Sequence, residues 1–446
     1  MGLLDLFKPK TFSHGIHPEY HKELTAGEKI RRLPFPETLI IHLDQHIGKP
    51  AKPIVAKRDE VVRGQPIAEA DGHLSVPIHA PATGRIRGIE LMPHARGQKT
   101  PAIILDVYKA SAQEVLWSEY RDMGTADHEQ LLQWVKDTGV AGMGGAAFPS
   151  HVKLKVPKDA TVDTLVVNGC ECEPYLTCDH RVMLEQTDDL IRGVRFAMQA
   201  AGTPKAIIGV EDNKMDAVEA IRAALPTDGS ISVEAVETKY PQGSEKMLIK
   251  SLLDREVPNG GIPARIGVVV VNVGTAATLG QLLPKGQGMI ERVVTVTGPG
   301  VEKPGNYRVP IGTPVSWVLK HAGYQSERGA FVLGGPMMGP AVSTMDTPIS
   351  KGTSGILVLD EQILDESESN TWACIKCGRC VQACPMHLNP AQLGQLAGKR
   401  LYETMAGDYH LNDCFECGCC SYVCPSHIPL VQYFRIAKAI NREKAS

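Results

Sequence analysis

Two cysteine runs stand near one end of this 446-residue chain: Cys374-Ile-Lys-Cys377-Gly-Arg-Cys380-Val-Gln-Ala-Cys384-Pro385 and Cys414-Phe-Glu-Cys417-Gly-Cys419-Cys420-Ser-Tyr-Val-Cys424-Pro425. Both read C-x2-C-x2-C-x3-C-P, a spacing in which three thiolates wrap one 4Fe–4S cubane and the fourth reaches its neighbour. Gly378 and Gly418 ease the turn around the metal, and the closing prolines keep the chain from running on as helix. The spacing assigns one cluster to Cys374, Cys377, Cys380 and Cys424. The other takes Cys414, Cys417, Cys420 and Cys384. Zinc sites favour two separated ligand pairs over four cysteines in one run, so single-electron transfer is the expected chemistry. Cys419 fits no ligand slot and reads as a small packing residue.

A glycine-rich stretch, Gly139-Val-Ala-Gly142-Met-Gly144-Gly145-Ala-Ala-Phe148-Pro149-Ser150-His-Val-Lys153, could bring backbone N–H groups up to a phosphate. Lys153 would add a point charge. The bland alternative is a plain turn. A second stretch, Val166-Val167-Asn168-Gly169-Cys170-Glu171-Cys172-Glu173-Pro174-Tyr175, follows a strand, where α/β folds place ligands. Asn168, Glu171 and Glu173 offer polar groups there, although the two acids could equally be surface charges. Cys170, Cys172 and Cys178 lack a fourth ligand nearby and read as packing before metal.

Several elements must position these groups. Residues 37–125 are rich in short Val/Ile strands between Gly and Pro turns and read as all-β. Residues 126–285 alternate helix and strand: helix His128–Lys136, strands Thr164–Val167, Ala206–Val210, Ile231–Ala235 and Ile266–Val271, helices Lys214–Ala224 and Glu245–Leu253. That pattern implies an α/β layer with a largely parallel sheet. Residues 286–359 read as strand, turn at Gly305, strand, helix Val315–Ala322, strand. Asp360–Asn370 is acidic and polar, a linker to the cysteine segment at 360–446. There, helices are expected at Pro390–Tyr402 and Pro429–Arg442, with Leu393, Leu396, Ala397 and Leu401 covering the clusters. Residues 1–36 form an N-terminal segment in which Leu3, Leu4, Leu6 and Phe7 suggest a short packing helix. His14, His17 and His21 read as a solvated, partner-facing segment, since nothing completes a metal set.

Composition closes off other classes. A net charge of -3 argues against nucleic-acid binding. No apolar run is long enough to span a bilayer: the best, Ile266–Leu283, is broken by Asn272, Gly274, Thr275 and Gln281. The start, MGLLDLFKPK, lacks the pattern of a secretory signal. Twelve cysteines without such a signal point to a reducing compartment, where clustered cysteines serve metals.

GMGGAAFPSHVKL, VVNGCECEPYLTCDHRVMLE and YPQGSEK together resemble the flavin-binding, NADH-oxidising subunit of respiratory complex I. The match is closer to the C subunit of Rnf (Rsx) ion-translocating ferredoxin:NAD oxidoreductase complexes. RDEVVRGQPIAEADGHLSVPIHAPATGRI resembles a lipoyl-type barrel-sandwich hybrid without the modifiable lysine. The resemblance implies a multidomain α/β and α+β chain: barrel-sandwich hybrid, α/β FMN and NADH domain, β-grasp domain, two-cluster ferredoxin-like α domain. It implies non-covalent FMN on Gly142, Gly144, Gly145 and Lys153, with Asn168, Glu171 and Glu173 toward the ring or nicotinamide. Phe148 would stack on the NADH adenine. Tyr240, Gly243 and Glu245 match a Y-x-x-G-x-E loop over the flavin, and Asn272 an asparagine beside it. Met143, Cys170, Cys172 and Ser244 depart from the complex I pattern. The resemblance further implies a bacterial peripheral subunit on the cytoplasmic side of the inner (plasma) membrane. Its partners would be integral and peripheral subunits of the same complex, with ferredoxin or the cluster-carrying B subunit as electron partner and NAD(H) as substrate. A diaphorase-type flavin subunit of a soluble hydrogenase or formate dehydrogenase is the alternative, and a structural adaptor a second.

Overall fold

The computed structural model describes residues 10–326, 329–359 and 371–445. The expected linker at 360–370 and the apolar start at Leu3–Phe7 lie outside the described residues. Among the described residues no helix is long and apolar enough to cross a membrane.

The all-β reading holds. Strands Thr38–His42, Lys99–Val107, Gly84–Pro93 and Glu60–Val61 make one antiparallel sheet, and Lys52–Pro53, Pro66–Glu69 and Ile78–His79 make a second. Ile103 and Leu105 point inward, where they meet Leu39, Ile41, Ile67, Ile78 and Ile86 between the sheets, while Ala102 and Ile104, alternating with them, are buried with Ile40 in a separate cluster.

The α/β layer is a four-stranded parallel sheet in the order Ile231–Val236, Lys205–Glu211, Thr164–Asn168, Val268–Asn272. The chain starts at Thr164–Asn168, winds outward to one side, then returns to the other side with Val268–Asn272. Strand order therefore reverses between these two strands, and the crevice beyond their carboxyl ends is where such sheets bind ligands. Asn168 and Asn272 are register partners at that point. Helices Thr187–Ala201 and Val273–Leu282 cross closely because Gly193 carries no side chain. A Cβ there would sit 1.7 Å from the Ala276 carbonyl oxygen. The expected strand at Ile266 begins two residues later, since Pro263–Ile266 forms a 3-10 turn that Gly267 ends at positive φ.

The third unit is a six-stranded sheet ordered Arg31–Arg32, Gly305–Pro310, Glu291–Thr297, Gly355–Leu359, Ala330–Leu333, Ala341–Val342, with helix Val315–His321 packed on it. Arg31–Arg32 was not anticipated. Nor was the path of residues 10–26: His14, His17 and His21 are exposed, as expected, but Phe12 and Ile16 among them are buried. Ile16 exchanges both backbone hydrogen bonds with Tyr240, and the Gly15 N–H donates to the Ala383 carbonyl. His14 Nδ1 bonds the Cys384 carbonyl at 3.0 Å, so this histidine serves the cysteine segment as a strap.

The cysteine segment is a small helical unit around Leu393, Leu396, Met405, Leu411 and Phe434. The helix expected over Pro390–Tyr402 ends at Gly398, and Tyr402–Gly407 forms a second one. Between them Lys399 donates to Gln395 and Leu396, Leu401 donates back to Leu396, and Arg400 takes φ +57. That turn leaves Leu401 45% exposed, so it does not cover a cluster.

Candidate functional site

The two cysteine runs repeat in backbone geometry as well as spacing. Lys376 and Glu416, Gly378 and Gly418, and His387 and His427 occupy matching places and all take positive φ. Such residues curl each run back on itself, leaving the thiols on the inside of the bend. Cys374, Cys377, Cys380 and Cys424 line one cavity of about 240 Å³, and no thiol of the other set joins them. Cys384, Cys414 and Cys417 lie close enough to Cys420 that their charges would raise its thiol, on top of the larger effect of burial. The crossing of Cys384 and Cys424 is therefore present in the fold. A cubane fits both sets, because eight thiols converge four by four on the inside of glycine-relieved bends. Cys419 is fully buried against Cys417, consistent with a packing role.

The two sets differ in surroundings. Cys374 and Cys377 are exposed, beside exposed Trp372 and Ile375. Cys384, Cys417 and Cys420 are buried. Cys417 and Cys419 pack with Cys172, Tyr240 and Ile16, residues that belong to the α/β domain and its N-terminal strap. Below, these are the outer and inner sets.

At the strand ends, Asn168 Nδ2 donates to the Gly243 carbonyl at 2.7 Å, and Asn168 Oδ1 accepts from the Cys170 N–H. Asn168 thus ties down the Tyr240–Glu245 loop. Space at Gly243 is tight: a Cβ would lie 3.2 Å from Cys172 Sγ, which would have to give by a few tenths of an ångström. Asn272 Oδ1 caps the Val273–Leu282 helix through the Thr275 N–H, and its Nδ2 donates to Asp179 at 2.6 Å. Gly144, at φ +74, passes directly over that amide, with room for no Cβ (2.7 Å). Gly145 has open space beside it, and Gly142 closes the loop through its N–H to the Phe148 carbonyl. Lys153 and Glu245 form an ion pair, and Phe148 is half-buried.

The two acids expected to face a ligand are placed differently from each other. The Glu171 carboxylate accepts from the Asp179 and His180 N–H groups and so caps the Cys178–Glu185 helix. Glu173 is half-buried and reaches the other way: its Oε2 accepts from the Met337 N–H at 3.0 Å. Burial raises its pKa to about 7. Met337 in turn lies 3.1 Å from where a Gly418 Cβ would stand, so the Glu173 contact leads to the inner cysteine run.

Tyr240 makes the direct link. It is fully buried, and its hydroxyl donates to the Cys417 carbonyl at 2.7 Å.

Sequence reasoning passed over Asp179, whose burial and neighbouring Glu171 raise its pKa to about 6. It also passed over Lys22, buried with its ammonium on the Glu171 and Leu176 carbonyls, and the buried Glu211–Lys214 pair. Only Lys214, three residues after Glu211, carried a local signal. The flavin fits this crevice in outline. Two helix N-termini open on it, Gly144 and Gly145 are exposed without side chains, and Lys153 sits at the rim.

Four family models match the chain in order: "RnfC Barrel sandwich hybrid domain" over 10–109, "Nuo51 FMN-binding domain" over 135–281, "SLBB domain" over 293–341 and "4Fe-4S dicluster domain" over 373–428. Fold and site thus define a flavin- and iron–sulfur-binding electron-transfer protein. The C subunit of the proton-translocating ferredoxin:NAD(+) oxidoreductase complex of Clostridium ljungdahlii is 44% identical over 97% of this chain and 94% of its own length. Its counterpart in the Na(+)-translocating ferredoxin:NAD(+) oxidoreductase complex of Acetobacterium woodii is 40% identical over 89% of each. The ion-translocating oxidoreductase complex of Rhodobacter capsulatus has a C subunit 41% identical over 100% of this chain and 86% of that protein. The chain belongs to the C-subunit family of Rnf-type ion-translocating oxidoreductase complexes, as the motifs suggested.

Proposed function

We propose that this chain is a peripheral electron-transfer subunit that exchanges electrons between NAD(H), FMN and two 4Fe–4S clusters for an ion-translocating complex. It would work on the cytoplasmic side of a bacterial plasma membrane, against integral subunits of the same complex. The observation that carries the reading is the Tyr240 hydroxyl on the Cys417 carbonyl, which joins the crevice loop to the inner cysteine set.

FMN, when bound, supplies both hydride exchange with a nicotinamide and one-electron exchange with metal clusters. The chain's part is position. Gly142, Gly144 and Gly145 keep the backbone open to the cofactor, Lys153 and Glu245 set the charge at its rim, and Asn168 and Asn272 hold the two walls of the crevice. Asn168 acts through Gly243 and Asn272 through Asp179. Tyr240, Cys172 and Ile16 fill the space between crevice and inner thiols with side chains and exclude water from it. Cys384, Cys414, Cys417 and Cys420 hold the inner cluster, and Cys374, Cys377, Cys380 and Cys424 the outer one. The outer set's exposure, with Trp372 and Ile375 beside it, suits docking of ferredoxin or a cluster-carrying subunit.

Anaerobically purified full chain tests the reading. FMN-dependent bleaching of the iron–sulfur absorbance on adding NADH supports it. Flavin that reduces while both clusters stay oxidised, though dithionite reduces them, refutes it.

A further inference from the structure

Away from both cysteine sets, a cavity of about 300 Å³ lies where the α/β domain, the barrel and the six-stranded sheet meet. Its walls are rich in donors. Arg32 and Arg63 both pair with Glu291, which uses up that carboxylate. The other lining acid, Asp179, is held by Asn272. Three further cations line the same space, Lys285, Arg292 and Arg308, and among the described residues no carboxylate comes within ion-pair distance of any of them.

The buried polar atoms point the same way. Arg292 is only 4% exposed, and its Nε has no acceptor; one terminal nitrogen donates to the Lys351 carbonyl. Gln186, at the junction between helices Cys178–Glu185 and Thr187–Ala201, has a buried Nε2 that also lacks an acceptor. A buried donor without a partner is costly, and a buried guanidinium that no carboxylate contacts directly more so. Glu171 and Asp179 act on Arg292, and Glu291 on Arg308, without pairing with them; two such donors and three cations without an ion-pair partner, facing one cavity, favour a ligand that brings acceptors and negative charge. Arginine pairs share the planar fork that suits phosphate oxygens.

We propose that this cavity binds the phosphoryl group of a small molecule, through Arg292, Arg308, Lys285 and Gln186. The inference stands on the cavity alone and does not depend on the electron path. The occupant is a phosphorylated small molecule separate from the flavin, whose own phosphate is expected at the glycine loop and Lys153.

Inorganic phosphate is the probe, titrated by calorimetry into the full chain with flavin removed and again with FMN loaded. Saturable binding is expected without flavin. Arg308→Gln and Lys285→Gln, at a half-buried and an exposed position, should each weaken it about tenfold or more; an unchanged thermal melt shows that they fold. Phosphate binding that vanishes on FMN loading makes the cavity part of the flavin's own site and overturns the proposal. Binding that persists identifies a second ligand. Absence of saturable binding in both states, or binding that Arg308→Gln and Lys285→Gln leave unchanged, overturns the proposal.

Discussion

Replacing Tyr240 by Phe removes one hydroxyl from the junction between crevice and inner cluster and leaves the ring in place. The lost hydrogen bond is 2.7 Å long and wholly buried, and it ends on the carbonyl of a cluster cysteine. The hydroxyl's proton lies against the Cys417 carbonyl oxygen and offsets its negative charge beside the cluster's thiolate, so it favours the more reduced, more negative state. Removing it lowers that cluster's potential. A net hydrogen bond is worth about 1 kcal/mol; with 59 mV per tenfold for one electron, and tenfold being about 1.4 kcal/mol, the ceiling is about 40 mV. Only part of that bond's energy changes with the charge on the metal, so about 20–40 mV downward is expected. The outer cluster should not move, because Tyr240 touches none of its thiols. Potentiometric titration followed by electron paramagnetic resonance resolves the two signals. Equal shifts in both clusters, or none in either, refutes the reasoning. Folding stability should also fall, by about 1–3 kcal/mol, because a buried carbonyl loses its donor.

Gly144→Val puts a branched side chain at φ +74 onto the Asn272 amide; flavin retention after gel filtration should be lost while both cluster signals persist. Gly193→Ala drives a methyl into the Ala276 carbonyl; overpacking of this kind costs about 3 kcal/mol, read as a melting temperature lower by roughly 6 °C or more. Glu173 has a folded pKa of about 7 against an ordinary 4.5. The folded state therefore holds more protons between those values, and stability falls as pH rises through that window. Glu173→Gln, which keeps an acceptor for the Met337 N–H, should flatten that slope in urea melts at pH 5 and pH 7.5. Cys424→Ser lies in the second run, yet it should abolish or alter the outer cluster's signal and spare the inner one.

Much of the site was legible because its signals are local. Two identical cysteine spacings define two cubanes wherever they occur, and four short β-branched runs separated by helices could only make a parallel layer. The crevice followed from that topology, with Asn168 and Asn272 at its edge. Side-chain roles were less legible. Glu171 and Glu173 are two residues apart and look alike in sequence, yet the positive φ of Glu171 turns one to a helix N-terminus and the other to the Met337 loop. The strap at residues 10–26 was invisible because backbone hydrogen bonds and a few scattered buried side chains hold it, with no periodic pattern. The break before Arg400 escaped because the apolar spacing runs on to Leu401; only Gly398 marked it. Asp179 was missed because its partner, Asn272, is far away in the chain.

The order of the carriers is the central claim, and a rapid-mixing experiment addresses it most directly. FMN-loaded full chain with Cys420→Ser, and a second sample with Cys424→Ser, are each mixed anaerobically with NADH. Loss of the inner cluster should stop reduction of the outer one, which dithionite still reduces; loss of the outer cluster should leave inner reduction at its normal rate. Outer-cluster reduction at full speed in the Cys420→Ser protein contradicts the account.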